Sequence, residues 1–137
     1  MDEAARDVPA PRRIHVSAAV IHDDEGRLLL VRKAATTAFM QPGGKPEPGE
    51  RASETLRREL REELGVEVAE DAVRSLGSFT ATANEPGFLV VAEVFTTDLG
   101  TQRPAIAAEI AELRWVSRAD AEGLDIAPLA RDNFLPR

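Results

Sequence analysis

Residues 43 to 66 constrain this chain more than any other stretch: Gly-Gly-Lys-Pro-Glu-Pro-Gly-Glu-Arg-Ala-Ser-Glu-Thr-Leu-Arg-Arg-Glu-Leu-Arg-Glu-Glu-Leu-Gly-Val. Leu56, Leu60 and Leu64 recur every four residues and predict an amphipathic helix with a buried stripe. Ser53 is placed to cap its start, with a start one or two residues earlier as the other reading, and Gly65 to close its end in a left-handed conformation. Arg57 and Arg61 fall between the faces, where they remain solvated. Glu59, Glu62 and Glu63 stand at i, i+3 and i+4, so the helix holds three carboxylates on one face. Like charges at that spacing cost roughly 0.2–0.5 kcal/mol per pair. A hard divalent cation turns the liability into a site, because such ions take carboxylate oxygens. The helix taken alone reads as an ordinary solvated one with i,i+4 ion pairs. The loop before it, with Gly43, Gly44 and Gly49 among Pro42, Pro46 and Pro48, changes that. It is stiff, permits positive φ, and lets backbone approach a ligand closely.

Loop and helix together resemble the Nudix box: Gly, five residues, Glu, seven residues, Arg-Glu, an aliphatic, any residue, Glu-Glu, any residue, Gly, aliphatic. Gly44, Glu50, Arg58, Glu59, Leu60, Glu62, Glu63, Gly65 and Val66 fill all nine defined positions over 23 residues. The resemblance implies roles for these positions. Glu59, Glu62 and Glu63 match the glutamates that bind Mg2+ or Mn2+ and help activate the attacking water. Gly43 matches a glycine whose carbonyl often adds a metal ligand. Arg58 and Glu50 match a pair that fixes loop against helix and so orients the ligands. The family varies in which glutamate serves as general base, and these residues leave that choice open.

Charge and composition exclude other classes. The 137 residues carry a net charge of −7, unlike proteins that hold nucleic-acid polymers through basic surface. An acidic protein acting on an anionic nucleotide needs a cation to offset repulsion. There are no cysteines, hence neither disulfides nor thiolate zinc sites. No apolar run reaches membrane-spanning length, and no signal-peptide core stands near Met1. A cytoplasmic protein is expected, monomeric or homodimeric, without membrane or stable nucleic-acid partners. The calcium-loop pattern Asp-x-Asx-x-Asx-Gly is missing.

Along the chain, residues 1–12 lack periodicity and predict a flexible leader, followed by one domain over 13–137. Ile14 to Ile21 predicts a strand, Asp23-Asp24-Glu25-Gly26 a turn, and Arg27 to Val31 a central strand. His15 and His22 read as surface or packing residues, the commoner fate of a lone strand histidine. Arg32 and Lys33 read either as solvated edge charge or as substrate contacts. The family often places a basic residue here near the phosphates, and Arg32 is the candidate. Gln41 stands where relatives frequently have an aliphatic residue; it either faces substrate or is solvated at a strand edge. Lys45 is a second phosphate candidate. Ala72–Ala83 and Gly87–Thr97 predict paired strands around Asn84-Glu85-Pro86-Gly87, read as a turn in preference to a base or sugar contact. Leu113–Val116 predicts a further strand, and Ser117 caps a short helix. Glu109 is the candidate for a fourth metal ligand or the base, with simple exposure as the other reading. Trp115 reads as core.

This order predicts an α+β domain with a mixed sheet between helices, similar to the α/β/α sandwich of the Nudix fold. The resemblance implies a Mg2+-dependent hydrolase, Mn2+ substituting, that cleaves a diphosphate linkage in a nucleoside diphosphate derivative. A nucleoside triphosphate, cleaved to monophosphate and pyrophosphate, is the expected substrate, as in the MutT-like branch. ADP-ribose, nucleotide sugars and dinucleoside polyphosphates are alternatives, and a catalytically silent nucleotide sensor is the alternative of another class. The absence of tyrosine, and of a proline before Pro86 in the stretch beyond the box, speaks against two of those branches without deciding.

Overall fold

A computed structural model describes residues 10–83 and 85–137. Most of the expected leader, residues 1–9, and Asn84 of the expected turn lie outside the described residues. Among the described residues seven strands form two sheets. The first takes β1 (Arg12–Val20), β4 (Gly43–Gly44), β5 (Arg74–Thr82) and β6 (Phe88–Thr96) in the order β4-β1-β6-β5. It is mixed, since β1 and β6 run parallel from Arg12 opposite Phe88 to Val20 opposite Thr96. The second takes β2 (Leu28–Lys33), β3 (Phe39–Met40) and β7 (Ile110–Val116) in the order β3-β2-β7, all antiparallel. Helix α1 spans Ala52–Leu64, α2 Arg118–Ala121 and α3 Pro128–Asn133. The α+β sandwich is therefore present, with the expected sheet divided in two. Among the described residues no helix is long and apolar enough to cross a membrane.

Strand alternation explains the layers. Ala19, Ile21, Leu29 and Val31 join Leu56, Leu60 and Leu64 of α1 in one core. Their neighbours Val20, Leu28 and Leu30 turn the other way and meet Ile126 and Ala130 near α3 in a second core. Period-two side chains thus feed helices on both faces. The three leucines of α1 are fully buried, each contributing about 2 kcal/mol by area. An edge-to-face contact of Phe79 with Phe134, 4.9 Å between centroids, ties the C-terminal segment to β5.

Several boundaries differ from expectation for local reasons. β1 opens at Arg12, the residue expected to close the leader, because its N–H donates to Gly87 O at 2.9 Å. β2 opens at Leu28, since Arg27 is tied into the turn by Asp23 at 2.7 Å. For α1 the earlier of the two readings holds: its N-cap is Arg51, two residues before Ser53, because Glu54 reaches back to accept from the Arg51 N–H at 2.9 Å. Gly65 closes α1 at φ 67°, as expected. α3, β3 and β4 are too short to carry a periodic signal.

β4 lies against β1 with almost no space between. A Cβ on Gly43 would stand 2.0 Å from Ser17 O, and the residue has φ 150°. Gly43→Ala is expected to cost about 3 kcal/mol or more through this clash. Gly65→Ala meets no neighbour and should cost only about 1–2 kcal/mol for its left-handed backbone. Urea denaturation of the two variants checks the ranking; equal losses would mean that β4 yields freely.

Candidate active site

Helix α1 and the glycine loop are joined by one guanidinium. Arg58 Nε and Nη2 donate to the two Glu50 carboxylate oxygens at 2.7 and 3.0 Å, a bidentate fork. Nη2 also donates to Lys45 O at 3.0 Å, while Nη1 donates to Glu59 at 2.9 Å and Glu62 at 3.2 Å. Glu50 is further held by the Glu47 N–H at 2.7 Å and Thr55 Oγ1 at 3.0 Å. Thr55, fully buried, has no mark in the sequence that separates it from any helical threonine. Hydrogen bonds from Arg58 and the loop hold the Glu50 carboxyl down to about 2.

The carboxylate face is graded from solvent to core. Glu62 is half exposed, Glu59 largely covered, and Glu63 only 3% exposed. Burial pushes the Glu63 carboxyl up to about 7, against a hydrogen bond from the Gly43 N–H at 3.0 Å, with the charges of Glu59 and Glu109 adding to the rise. Burial also raises Glu59, against the pull of Arg58. Gly44 has the Glu59 carboxylate where a side chain would stand, its atoms 2.6–2.9 Å from an added Cβ. Glycine here is what admits the carboxylate to the sheet edge.

Beside this edge is a cleft of about 220 Å³, lined by Ser17, Ala18 and Gly43 from the strand pair and by Val90 and Leu129. Ala127 N–H donates to Phe39 O at 2.8 Å and Phe39 N–H to Asp125 O at 2.8 Å, which brings the start of α3 to the cleft. Ser17, 3% exposed, donates to Ala52 O at 2.8 Å and ties the cleft lining to the first residue of α1.

The sequence-derived candidates distribute unevenly around this space. Glu59, Glu62, Glu63, Arg58 and Glu50 come together. Gln41 and Gly43 line the cleft. Arg32 does not: its Nε donates to Glu112 at 3.3 Å and its Nη1 to Thr36 O at 2.9 Å. Lys33 lines the cleft instead, pairs with Glu109 at 3.2 Å, and its charge partly opposes the burial that raises both Glu59 and Glu63. Strand parity carries the signal, since Lys33 continues the Leu29–Val31 face toward α1 and Arg32 the opposite one. Lys45 is exposed and contributes its backbone carbonyl to Arg58. Glu109 is exposed but reaches the cluster through Lys33. His15 and His22 are exposed, and Trp115 packs partly buried against the α1 core.

The oxygen donors suit a hard divalent cation: three helical carboxylates, one desolvated, crowded by a fourth negative charge. Among the described residues they do not already converge as a ligand set. Arg58 holds Glu59 and Glu62, so a cation competes with a guanidinium for them.

A family model described as the NUDIX domain matches residues 11–137. The uncharacterized Nudix hydrolase YvcI of Bacillus subtilis (strain 168) is 28% identical over 117 residues, covering 82% of this chain and 72% of that protein. An 8-oxo-dGTP diphosphatase of Haemophilus influenzae is 37% identical over 57 residues, 39% of this chain and 42% of its own. The crystal structure of the MutT protein from Methanosarcina mazei Go1 superposes with TM-score 0.71 at 25% identity, covering 93% of each chain.

Two outcomes are expected. A carboxyl raised from 4.5 to about 7 on folding binds more protons in the folded than the unfolded state between those values. Its contribution is therefore full below pH 4.5 and lost as pH rises to 7, a fall of at most about 3 kcal/mol in metal-free protein. Glu63→Gln should abolish that fall, measured as denaturation midpoints in chelator from pH 4.5 to 8. Parallel curves for variant and wild type would place the buried charge elsewhere. Glu50 has the opposite sign, losing its contribution as pH drops from 4.5 toward 2, outside that window. Arg58→Ala, which strands Glu50, should lower Tm by several degrees, and Arg58→Lys should restore only part because an ammonium cannot form the fork. Full restoration by lysine would reduce the role to simple charge.

Proposed function

The chain belongs to the Nudix family and is a pyrophosphohydrolase of nucleoside diphosphate derivatives, and from that premise we propose that it cleaves nucleoside triphosphates to monophosphate and pyrophosphate with Mg2+. The observation that carries this reading is the meeting of two unlike surfaces at Gly43. Its N–H holds the buried Glu63 carboxylate, and the same residue lines a mostly apolar cleft. A nucleotide has the matching halves, a flat base and a charged phosphate chain. The cleft is below the roughly 300–1,000 Å³ of sites that engulf drug-sized ligands. It takes one base and leaves the phosphates along the carboxylate face. The Haemophilus relative's activity supports the triphosphate, and the chain's likeness to it is confined to about two fifths of either protein.

Glu59, Glu62 and Glu63 would hold the cation, with the Gly43 carbonyl and Glu109 as further oxygen donors. When bound, the cation polarises the phosphoryl oxygens and neutralises charge on attacking and leaving oxygens. The protein's own residues do the rest. Lys33, already at the cleft, trades Glu109 for a phosphate oxygen. Arg58 and Glu50 keep the loop seated against α1, so that the carboxylates remain in place. A water oxygen bonds to one phosphorus of the linkage, the opposite P–O bond breaks, and its electron pair leaves with the departing group, which is pyrophosphate for attack at the α-phosphorus and nucleoside monophosphate for attack at the β-phosphorus. The proton released by that water passes to a carboxylate of the set.

Mass spectrometry of products over a panel of canonical and oxidised triphosphates, ADP-ribose, NADH, dinucleoside polyphosphates and nucleotide sugars, with and without Mg2+, tests the proposal. Monophosphate and pyrophosphate from a triphosphate, only with metal, is the expected result. Preferred turnover of another member would reassign the substrate. Glu63→Gln should lose about 100-fold or more in kcat with its fold intact. Near-wild-type turnover by that variant would remove Glu63 from the reaction.

A further inference from the structure

Gln41 links β3 to Pro42 and is 6% exposed. Its Nε2 donates to Ala19 O at 3.0 Å. A carbonyl only accepts, so this bond fixes which way the planar amide faces: NH2 toward β1, oxygen away from it. Among the described residues no protein donor reaches that oxygen. Gln41 Oε1 is the sole buried side-chain oxygen or nitrogen left without a partner among the described residues. Folded proteins pair nearly all such atoms, and an exception calls for a ligand or a function. Gln41 also lines the cleft, where its neighbours Val16, Ala18, Val90 and Leu129 are apolar. Ser17, Lys33 and Thr82 also line it, but Gln41 alone brings a buried acceptor without a partner to a mostly apolar lining, and a site of that kind binds by area and discriminates by its few fixed polar groups.

We propose that Gln41 Oε1 reads the base: it accepts a hydrogen bond from a ring or exocyclic N–H of a nucleobase lodged in the cleft. The inference rests on the reading that the cleft takes the nucleoside end of the substrate, and it adds what selects there. The amide cannot flip to serve a base with acceptors only, because Ala19 O would then face a second oxygen. Substrates are therefore nucleotides whose base presents a donor to Gln41 Oε1, and a donor-free ring of equal size is disfavoured.

The test is calorimetric binding of nucleoside monophosphates, which carry base and sugar but no diphosphate to cleave. AMP and GMP are compared with purine riboside monophosphate, and CMP and UMP with 2-pyrimidinone riboside monophosphate; both analogues lack ring-edge N–H groups. Wild type should bind at least one donor-bearing member about 10-fold or more tighter than its donor-free partner. Gln41→Met, similar in length but unable to accept comparably, should bind the pair alike. Gln41→Asn, which withdraws the oxygen by one methylene, should lie between and serves where the methionine variant is unstable. Equal binding of every pair by wild type, or a preference that survives in the variants, overturns the role of Gln41. So does failure of all monophosphates to bind. A chain that discriminates in binding yet cleaves no triphosphate keeps Gln41 as the reader and loses the triphosphate assignment. One that cleaves triphosphates but binds every pair alike does the reverse.

Discussion

The site depends on how closely backbone can approach backbone at Gly43 and Gly44. Ala19 N–H donates to Pro42 O at 2.9 Å, β4 pairs with β1, and there is no room at Gly43 for even a methyl group. From this one contact the rest follows. The Gly43 N–H faces Glu63, the missing Gly44 side chain makes room for Glu59, and Ser17 holds the first turn of α1 over the same strand. A bulkier residue at either glycine would separate the helix from the sheet edge and leave its carboxylates without a cleft to face.

Electrostatics explains why such a site needs a counter-charge at all times. Two unit charges 4 Å apart repel by about 1 kcal/mol in water and about 4 kcal/mol at an effective dielectric of 20. A helix face with three carboxylates, one of them buried, is costly unless cations attend it. Arg58 and Lys33 supply that attendance from within the chain. Arg58 also contacts Glu50 and the Lys45 carbonyl, so the charge that relieves the helix is the one that fastens the loop. Neutralising the face and positioning it are a single act.

What the sequence displays openly is what repeats locally. The leucines of α1, its carboxylate triad, the Gly65 cap and the Ser117 cap are all set by residues within one or two turns, and each stands where the periodicity puts it. The parallel pairing of β1 with β6 joins segments far apart in the chain and leaves no local trace. The same holds for the cleft wall from α3, a six-residue helix positioned by backbone bonds between Phe39 and residues 125–127. In sequence Gln41 is as suited to solvent as to substrate, because its burial is decided by Ala19 on another strand. Thr55 carries no local signal for a like reason: its hydroxyl matters only once Glu50 has folded back over the helix.

The choice between Arg32 and Lys33 shows how one irregularity in a ladder decides chemistry. Along β7, Leu113 and Trp115 pack toward the α1 core and Val116 toward the other. Regular alternation would send Ile110 away from α1. The ladder instead passes from Arg32 opposite Glu112 to Lys33 opposite Ile110, with Ala111 left over. That extra residue reverses the parity, so Ile110 enters the α1 core and Glu109 arrives beside Lys33. Glu112 stays on the far side with Arg32 and Arg114. Two adjacent cations of similar chemistry are thereby given different partners. One belongs to a surface ion pair network and the other to the carboxylate cluster, and a bulge of one residue makes the division.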